Sequence, residues 1–414
     1  MKNTRIYLAF ILAAIILVGI VGCTTAAGTV DLMDGITSRG VSGKPADNVF
    51  VASMADFSIE LFKESTASGG NSLISPPSVM LALAMTSNGA DGDTLAELEV
   101  LLGGGIPLDS LNEYLYSYVN GLPSAENSML RIANSIWFRD DETLRVEPAF
   151  LQTNADFYRA QIFSAAFDDQ TVDEINNWVD ANTDGMIDSI IDEIRDEALF
   201  LINAVAFDAE WARIYDESDI WEGEFTDIHG NKQRVEFMHS AESMFIEDGM
   251  ATGFIKPYAG GSYSFVALLP NEGITIEAYI ESLTGTGFLS MLENKQFEEV
   301  RASMPKFEFE YEISMIDALN TLGIHEAFDE YRADFGRMAT SSIGNLFISE
   351  VLHKTFISVD ERGTRAGAAT VVAVDAASAP IEEPKIVRLD RPFLFAIIDS
   401  STNLPIFIGT VLMV

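Results

Sequence analysis

One cysteine and four histidines in 414 residues leave little material for thiol or metal chemistry. The cysteine, Cys23, ends an apolar run near the start of the chain, so residues 24–414 hold no thiol; neither disulfides nor thiolate metal sites can brace them. The histidines, at 229, 239, 325 and 353, are scattered. The chain contains no G-x-S-x-G elbow, no H-E-x-x-H pair and no G-x-x-x-x-G-K phosphate loop. Those absences count against hydrolase, zinc-protease and nucleotide-hydrolysing chemistry, although a triad assembled from distant residues stays open. The residues present imply no metal and no cofactor.

Basic side chains are scarce as well: 25 Lys and Arg face 63 Asp and Glu, for a formal net charge of -38. Nucleic acid is excluded as a partner, because phosphate neutralisation needs a basic surface. So acidic a surface repels its own copies, which favours a soluble monomer, and salt relieves the repulsion, which points to a salty habitat. With 48% apolar residues the chain can bury one large core or two ordinary ones.

Residues Ile6 to Gly22 form an apolar run behind Lys2 and Arg5, the layout of a secretory signal and marginally short for a membrane-spanning helix. Ile20-Val21-Gly22-Cys23 resembles the bacterial and archaeal lipobox. That resemblance implies cleavage of residues 1–22 and a diacylglyceryl group on the Cys23 thiol; the alternative is an uncleaved anchor helix with an incidental cysteine. Either way the remainder is expected outside the cytoplasm, lipid-anchored to the outer face of a prokaryotic membrane or secreted. Thr24 to Lys44 is rich in Gly, Ser, Thr and Ala without an apolar period, so residues 23–46 read as a flexible spacer and the folded part as residues 47–414.

Phe50, Met54, Phe57, Leu61 and Phe62 recur at spacings near three and four, which predicts an amphipathic helix. Ser75-Pro76-Pro77 reads as the start of another, with serine able to cap it. Tyr263 to Pro270 is an apolar, β-prone run, and Val351, His353, Thr355, Ile357 and Val359 alternate along a long strand. Phe393 to Ile398 and Pro405 to Leu412, joined by Asp399 to Asn403, predict a buried hairpin. Helices dominate early and strands late, without internal repeat or second linker, so the fold class is mixed α and β. Asp180, Asn182, Asp184 and Gly185 match the first half of an EF-hand loop, but the position of its closing glutamate is Ile191; a solvated turn is the simpler reading.

Asn71-Ser-Leu-Ile-Ser75-Pro76-Pro77-Ser78, followed by Gly89-Ala90, Gly92, Thr94 and Glu97, resembles the N-x-x-x-S-P-x-S signature of the serpin family. Further segments resemble the same family in chain order: Ile132 to Phe138 around Asn134, Ile175 to Val179, Leu201-Ile-Asn203-Ala, Phe265 to Pro270, Met304 to Phe307, Ala333-Asp-Phe335 and Arg391-Pro-Phe393. The likeness spans about residues 47–414 and implies one domain, with helices packed around a large central β-sheet, further sheets and an exposed reactive loop at about 362–384. Val359 to Thr370 resembles the hinge of inhibitory serpins, with Glu361, Gly363, Thr364, Ala366, Gly367, Ala368, Ala369 and Thr370 as its residues. In that family a protease cuts the loop beyond the hinge, and the hinge then enters the central sheet as an extra strand.

The residue types suit that motion. Alternation puts Thr364, Ala366, Ala368, Thr370 and Val372 on one small, uncharged face, which can pack inward without burying a charge. Arg365 falls on the opposite face. About ten new ladder hydrogen bonds at roughly 1 kcal/mol each give a gain comparable to a whole domain's stability.

Family spacing from Glu361 sets the scissile bond between Ala377 and Ser378, and only small side chains surround it from Ala373 to Ala379. The expected partner is therefore a serine protease with a small or shallow primary pocket, elastase-like or subtilisin-like. The resemblance further implies a polar shutter of Ser75, Ser78, Asn203 and His353, and a breach at Trp211 and Glu361 where insertion begins. Two departures stand out: Arg362 and Arg365 replace the acids common at the hinge, and Asp208-Ala-Glu210 replaces a Lys-Gly stretch before Trp211. The expected protein is not an enzyme but an inhibitor consumed in one turnover. A non-inhibitory serpin-fold binding or chaperone protein is the alternative; bulky or charged residues on the inserting face would favour it, and that face has none.

Overall fold

The computed structural model describes residues 28–66, 69–123, 128–342, 344–364 and 383–414. Among them the largest sheet has seven strands in the order β1 (Val30–Asp31), β5 (Gln161–Ala165), β3 (Ser128–Arg139), β6 (Leu199–Glu210), β16 (Gly363–Thr364), β15 (Glu350–Val359) and β13 (Phe307–Ser314). A six-stranded sheet packs behind it: β2 (Ser72–Ile74), β19 (Pro405–Val411), β18 (Phe393–Asp399), β11 (Tyr263–Pro270), β10 (Ala251–Pro257) and β9 (Phe245–Glu247). A four-stranded sheet caps one end, with β17 (Lys385–Arg388), β12 (Val300–Pro305), β8 (Lys232–Glu242) and β7 (Ile220–Thr226). The short pair β4 (Arg145–Val146) and β14 (Ala339–Thr340) stands apart.

Helices α1 (Asn48–Ser65), α2 (Pro76–Ser87), α3 (Gly92–Gly103), α4 (Leu108–Gly121), α5 (Pro148–Phe157) and α6 (Asp169–Asn182) surround the large sheet, giving the mixed architecture expected. Asp47 caps α1 by accepting from the N–H groups of Val49 and Phe50 at 3.1 and 3.0 Å, and the apolar period buries Phe50, Met54, Phe57, Leu61 and Phe62. Every residue of α2 is buried, which its unbroken apolar and small composition allows. Alternation along β6 serves two cores: Leu201, Val205 and Phe207 face the main core, whereas Phe200, Ile202 and Ala204 meet Ile175 and Val179 of α6 on the other side. At the end of α6, where the calcium-like pattern lies, Asp184 pairs with Arg131 at 2.6 Å, and Asp184 and Gly185 take the positive φ of a turn.

The expected flexible spacer at 23–46 requires correction from Gly28 onward. β1 extends the edge of the large sheet, pairing Val30 with Ser164, and the Leu32 N–H donates to the Ile162 carbonyl at 2.8 Å. Arg39 then donates through its backbone and Nε to the buried Asp156 of α5 at 2.8 and 2.9 Å. Lys44 donates from its N–H to the Glu113 carbonyl of α4 at 3.0 Å and sets its ammonium 4.2 Å from the Tyr114 ring centre. Backbone pairing and one buried carboxylate dock this segment, with only Leu32, Met33 and Ile36 packing on the core, so its composition resembles a linker. The packed unit therefore begins before Asp47.

Candidate functional site: the seam of the large sheet

Strands β6 and β15 run parallel and pair from Phe200 opposite Glu350 to Val205 opposite Thr355. Beyond Val205 and Thr355 they stop pairing with one another, and higher up β16 stands between them, antiparallel to both: Gly363 lies opposite Glu210, and Thr364 opposite Ala209 and Val359. The seam is thus paired at one end, parted in the middle and already threaded at the other.

A polar row crosses the paired end. Asn134 of β3 lies opposite Asn203 of β6, which lies opposite His353 of β15. Asn203 donates to Asn134 Oδ1 and Ser78 Oγ, and its Oδ1 accepts from His353 Nδ1. His353 Nε2 accepts from the Ser75 N–H at 3.1 Å, so the neutral ring carries its proton on Nδ1. Complete burial lowers its pKa to about 3. The structure therefore brings Ser75, Ser78, Asn203 and His353 together under the start of α2. It differs from expectation at Ser75, whose buried hydroxyl makes no helix cap and has no hydrogen-bond partner among the described residues; the backbone N–H is what joins the cluster. Asn134 also belongs to the row, although the sequence marks it only as part of a family segment. Its signal is the single amide side chain in the strand-forming run from Ile132 to Phe138.

Hydrogen bonds and aromatic stacking hold the threaded end. Trp211 donates from its indole to the Asp360 carbonyl at 2.9 Å and from its backbone to the Arg362 carbonyl at 2.8 Å. Its ring stacks on Tyr258 at 4.6 Å, and the Tyr258 hydroxyl meets Thr364 Oγ1 at 2.6 Å. Glu361 pairs with Lys306 at 2.8 Å, and this hydrogen bond holds its carboxyl below the usual range. Gly363 is demanded by close approach: a Cβ there would lie 2.0 Å from the Ala209 carbonyl oxygen. Arg362 stands 3.8 Å from Glu210, so one cation of the unusual hinge faces one acid of the unusual stretch before Trp211. Among the predicted site residues, Cys23, Ala366, Gly367, Ala368, Ala369, Thr370, Ala377 and Ser378 lie outside the described residues.

A central sheet threaded at one end by β16 and crossed at the other by a buried polar row defines a class of protein that the family comparison makes explicit. The model of the serpin family, described as serine protease inhibitor, matches residues 52–414, and the chain belongs to that family, whose members are generally protease inhibitors. Among relatives, an uncharacterized serpin-like protein of Thermococcus kodakarensis is 32% identical over 87% of this chain and 84% of its own length. Leukocyte elastase inhibitor A of Mus musculus is 30% identical over 86% of this chain and 97% of its own. Among solved structures, the thermophilic serpin tengpin in its native state is 54% identical, with a TM-score of 0.90 over 94% of this chain and all of its own. Tengpin in its latent state, 51% identical over 90% of this chain and all of its own, reaches a TM-score of 0.80.

Proposed function

We propose that this protein is an irreversible inhibitor of serine proteases with small or shallow primary pockets. The protease serine attacks the Ala377 carbonyl, the amide bond to Ser378 breaks and its new amine departs, the chain beyond Gly363 slides into the large sheet, and the tethered enzyme stalls as an acyl-enzyme. The observation that carries this reading is the parted seam with β16 already inside it.

Continuing the register of β16 supports the motion. Ala366 and Ala368 would fall opposite Phe207 and Val205 on the core side, and Thr370 opposite Asn203. Residues 365–367 would enter where β6 and β15 have already separated; residues 368–373 would take the place of the parallel pairs from Thr355–Val205 to Glu350–Phe200. One row of ladder bonds becomes two, at roughly 1 kcal/mol per added bond. Arg365 would stand opposite Asp208 on the outer face, so both unusual hinge arginines acquire an acid and neither departure obstructs insertion. In this reading Ser75, Ser78, Asn203 and His353 form the shutter that lets the strands part, and Trp211 with Glu361 the breach where parting starts.

Incubation with subtilisin or pancreatic elastase should give a complex that survives SDS, and mass spectrometry should find a released fragment that begins at Ser378. The cut chain should melt many degrees above the intact one. Clean cleavage with neither complex nor added heat stability rejects the mechanism and favours a binding or chaperone role.

The lipobox at Cys23 supports an outer-surface location, with the folded domain tethered by lipid. Cys23→Ser should release the protein from membranes into the medium; membrane retention of that variant would assign the anchor to the uncleaved helix instead.

A further inference from the structure

In a chain of net charge -38, cationic side chains nevertheless converge at one place. A cleft of about 480 Å³ lies between the four-stranded sheet and the segment Arg213–Tyr215, and it is lined by Arg213, Lys256, Arg301 and Arg388 against two carboxylates, Asp219 and Glu299. Lys256 is committed: it is buried and bonds Glu242 at 2.9 Å and the Arg213 carbonyl at 3.2 Å. Arg301 reaches Glu299 only at 3.9 Å, on the surface. The side chains of Arg213 and Arg388 have no ion pair with any described residue, although acids outnumber bases more than twofold in the chain.

The cleft is partly apolar, since Ile214, Ala302 and Ile386 also line it. Strand register sets Ser303 between His239 and Arg388, and Arg301 beside Ile386. His239 Nδ1 and the Ser303 hydroxyl are hydrogen-bonded at 2.8 Å, and the buried Nε2 has no partner among the described residues. Burial first, and Arg388 second, lower its pKa, which keeps the ring neutral near pH 7. Trp221 stacks on this ring at 3.5 Å and 6° while remaining 53% exposed; Ile386 beside it is 62% exposed. Gathered like charges repel, and a bound anion relieves the repulsion.

We propose that this cleft binds a small polyanion carrying a planar ring: Arg213, Arg301 and Arg388 hold the anionic oxygens and Trp221 stacks the ring. Guanidinium forks match phosphate or carboxylate oxygens pairwise, and an exposed indole face offers the ring a surface that aliphatic side chains lack. The location adds a consequence. The Tyr215 N–H donates to the Glu361 carbonyl at 2.9 Å, and Ile386 and Arg388 lie in β17, the next described strand after β16. A ligand there ties β17 to the Arg213–Tyr215 segment that is hydrogen-bonded to Glu361, and so fastens both flanks of the proposed reactive loop in their present places. That consequence matters for inhibition only under the insertion mechanism proposed above; the binding itself does not depend on it.

The test is calorimetry on the full-length protein with three probes at 0.15 M salt, where the general acidic repulsion is screened beyond about 8 Å. ATP without divalent cations should bind, tripolyphosphate should bind at least tenfold more weakly, and adenosine should give no heat. Arg213→Ala with Arg388→Ala should weaken ATP at least tenfold without moving the melting temperature, since both side chains are exposed. Trp221→Ala should bring ATP down to the tripolyphosphate value. Amide exchange should slow at 213–215 and 386–388 when ATP is present. No ATP binding at millimolar concentration, or binding indifferent to the arginine pair, overturns the site; tripolyphosphate binding as tightly as ATP overturns the stacked ring. Because these readouts need no protease, they stand or fall separately from the inhibitory mechanism.

Discussion

The two large sheets share one core and are built from opposite chemistry. In the six-stranded sheet every residue of β11, β18 and β19 is buried, the pairing is antiparallel throughout, and Phe265 stacks on Phe395 at 5.6 Å. The seven-stranded sheet carries amides and an imidazole across its middle and joins β6 to β15 by a short parallel ladder. A dry, interlocked sheet resists separation because each rung is backed by apolar packing. Strands joined by a few hydrogen-bonded polar groups can exchange partners without repacking a core. Under the proposed insertion mechanism the first sheet is the frame and the second the moving part.

The contrast can be broken from either side. Phe395→Ala, in the frame, should lose about 3–5 kcal/mol in urea unfolding, since the cavity left among stacked rings has nothing to fill it. Asn203→Ala, in the moving part, should cost about 2 kcal/mol by orphaning His353 Nδ1, and it should also speed the parting of β6 from β15, seen as faster amide exchange along β15. Equal exchange rates in the variant and the parent would remove the gate from Asn203.

Acid should act on the moving sheet first. The folded pKa of His353, about 3, lies below its unfolded value, so the unfolded state binds the extra proton between roughly pH 6.5 and 3. Its contribution is complete above pH 6.5 and is lost on acidification at up to about 1.4 kcal/mol per pH unit. His353→Gln should flatten that slope; an unchanged slope would assign the acid sensitivity to other groups. The smallest effect is expected at the sheet edge, where Arg39→Ala should cost no more than about 1 kcal/mol because Gln152 still donates to Asp156 at 2.9 Å. Limited proteolysis before Asp47 should nonetheless become faster in that variant.

The frame was the more legible of the two in the sequence. Unbroken apolar runs announce β11, β18 and β19, and the alternation from Val351 to Val359 announces β15. Family motifs pointed to Ser75, Ser78, Asn203 and His353, but not to how they connect: that Ser75 contributes its backbone and Asn134 its carbonyl is decided by register between strands far apart in the chain. Segment 28–46 escaped a hydrophobic reading because strand pairing and a single buried carboxylate hold it. The pairing of Arg362 with Glu210 likewise turns two separate oddities into one compensated charge exchange, visible only once β16 lies beside β6.

The imidazole of His353 holds Ser75, the residue that leads into α2, through one nitrogen and Asn203 of β6 through the other. Each partner sits on a different element, so if the proposed insertion takes place, nitrogen-15 resonances of that single ring would show whether strand or helix entry departs first, a built-in stopwatch for the rearrangement.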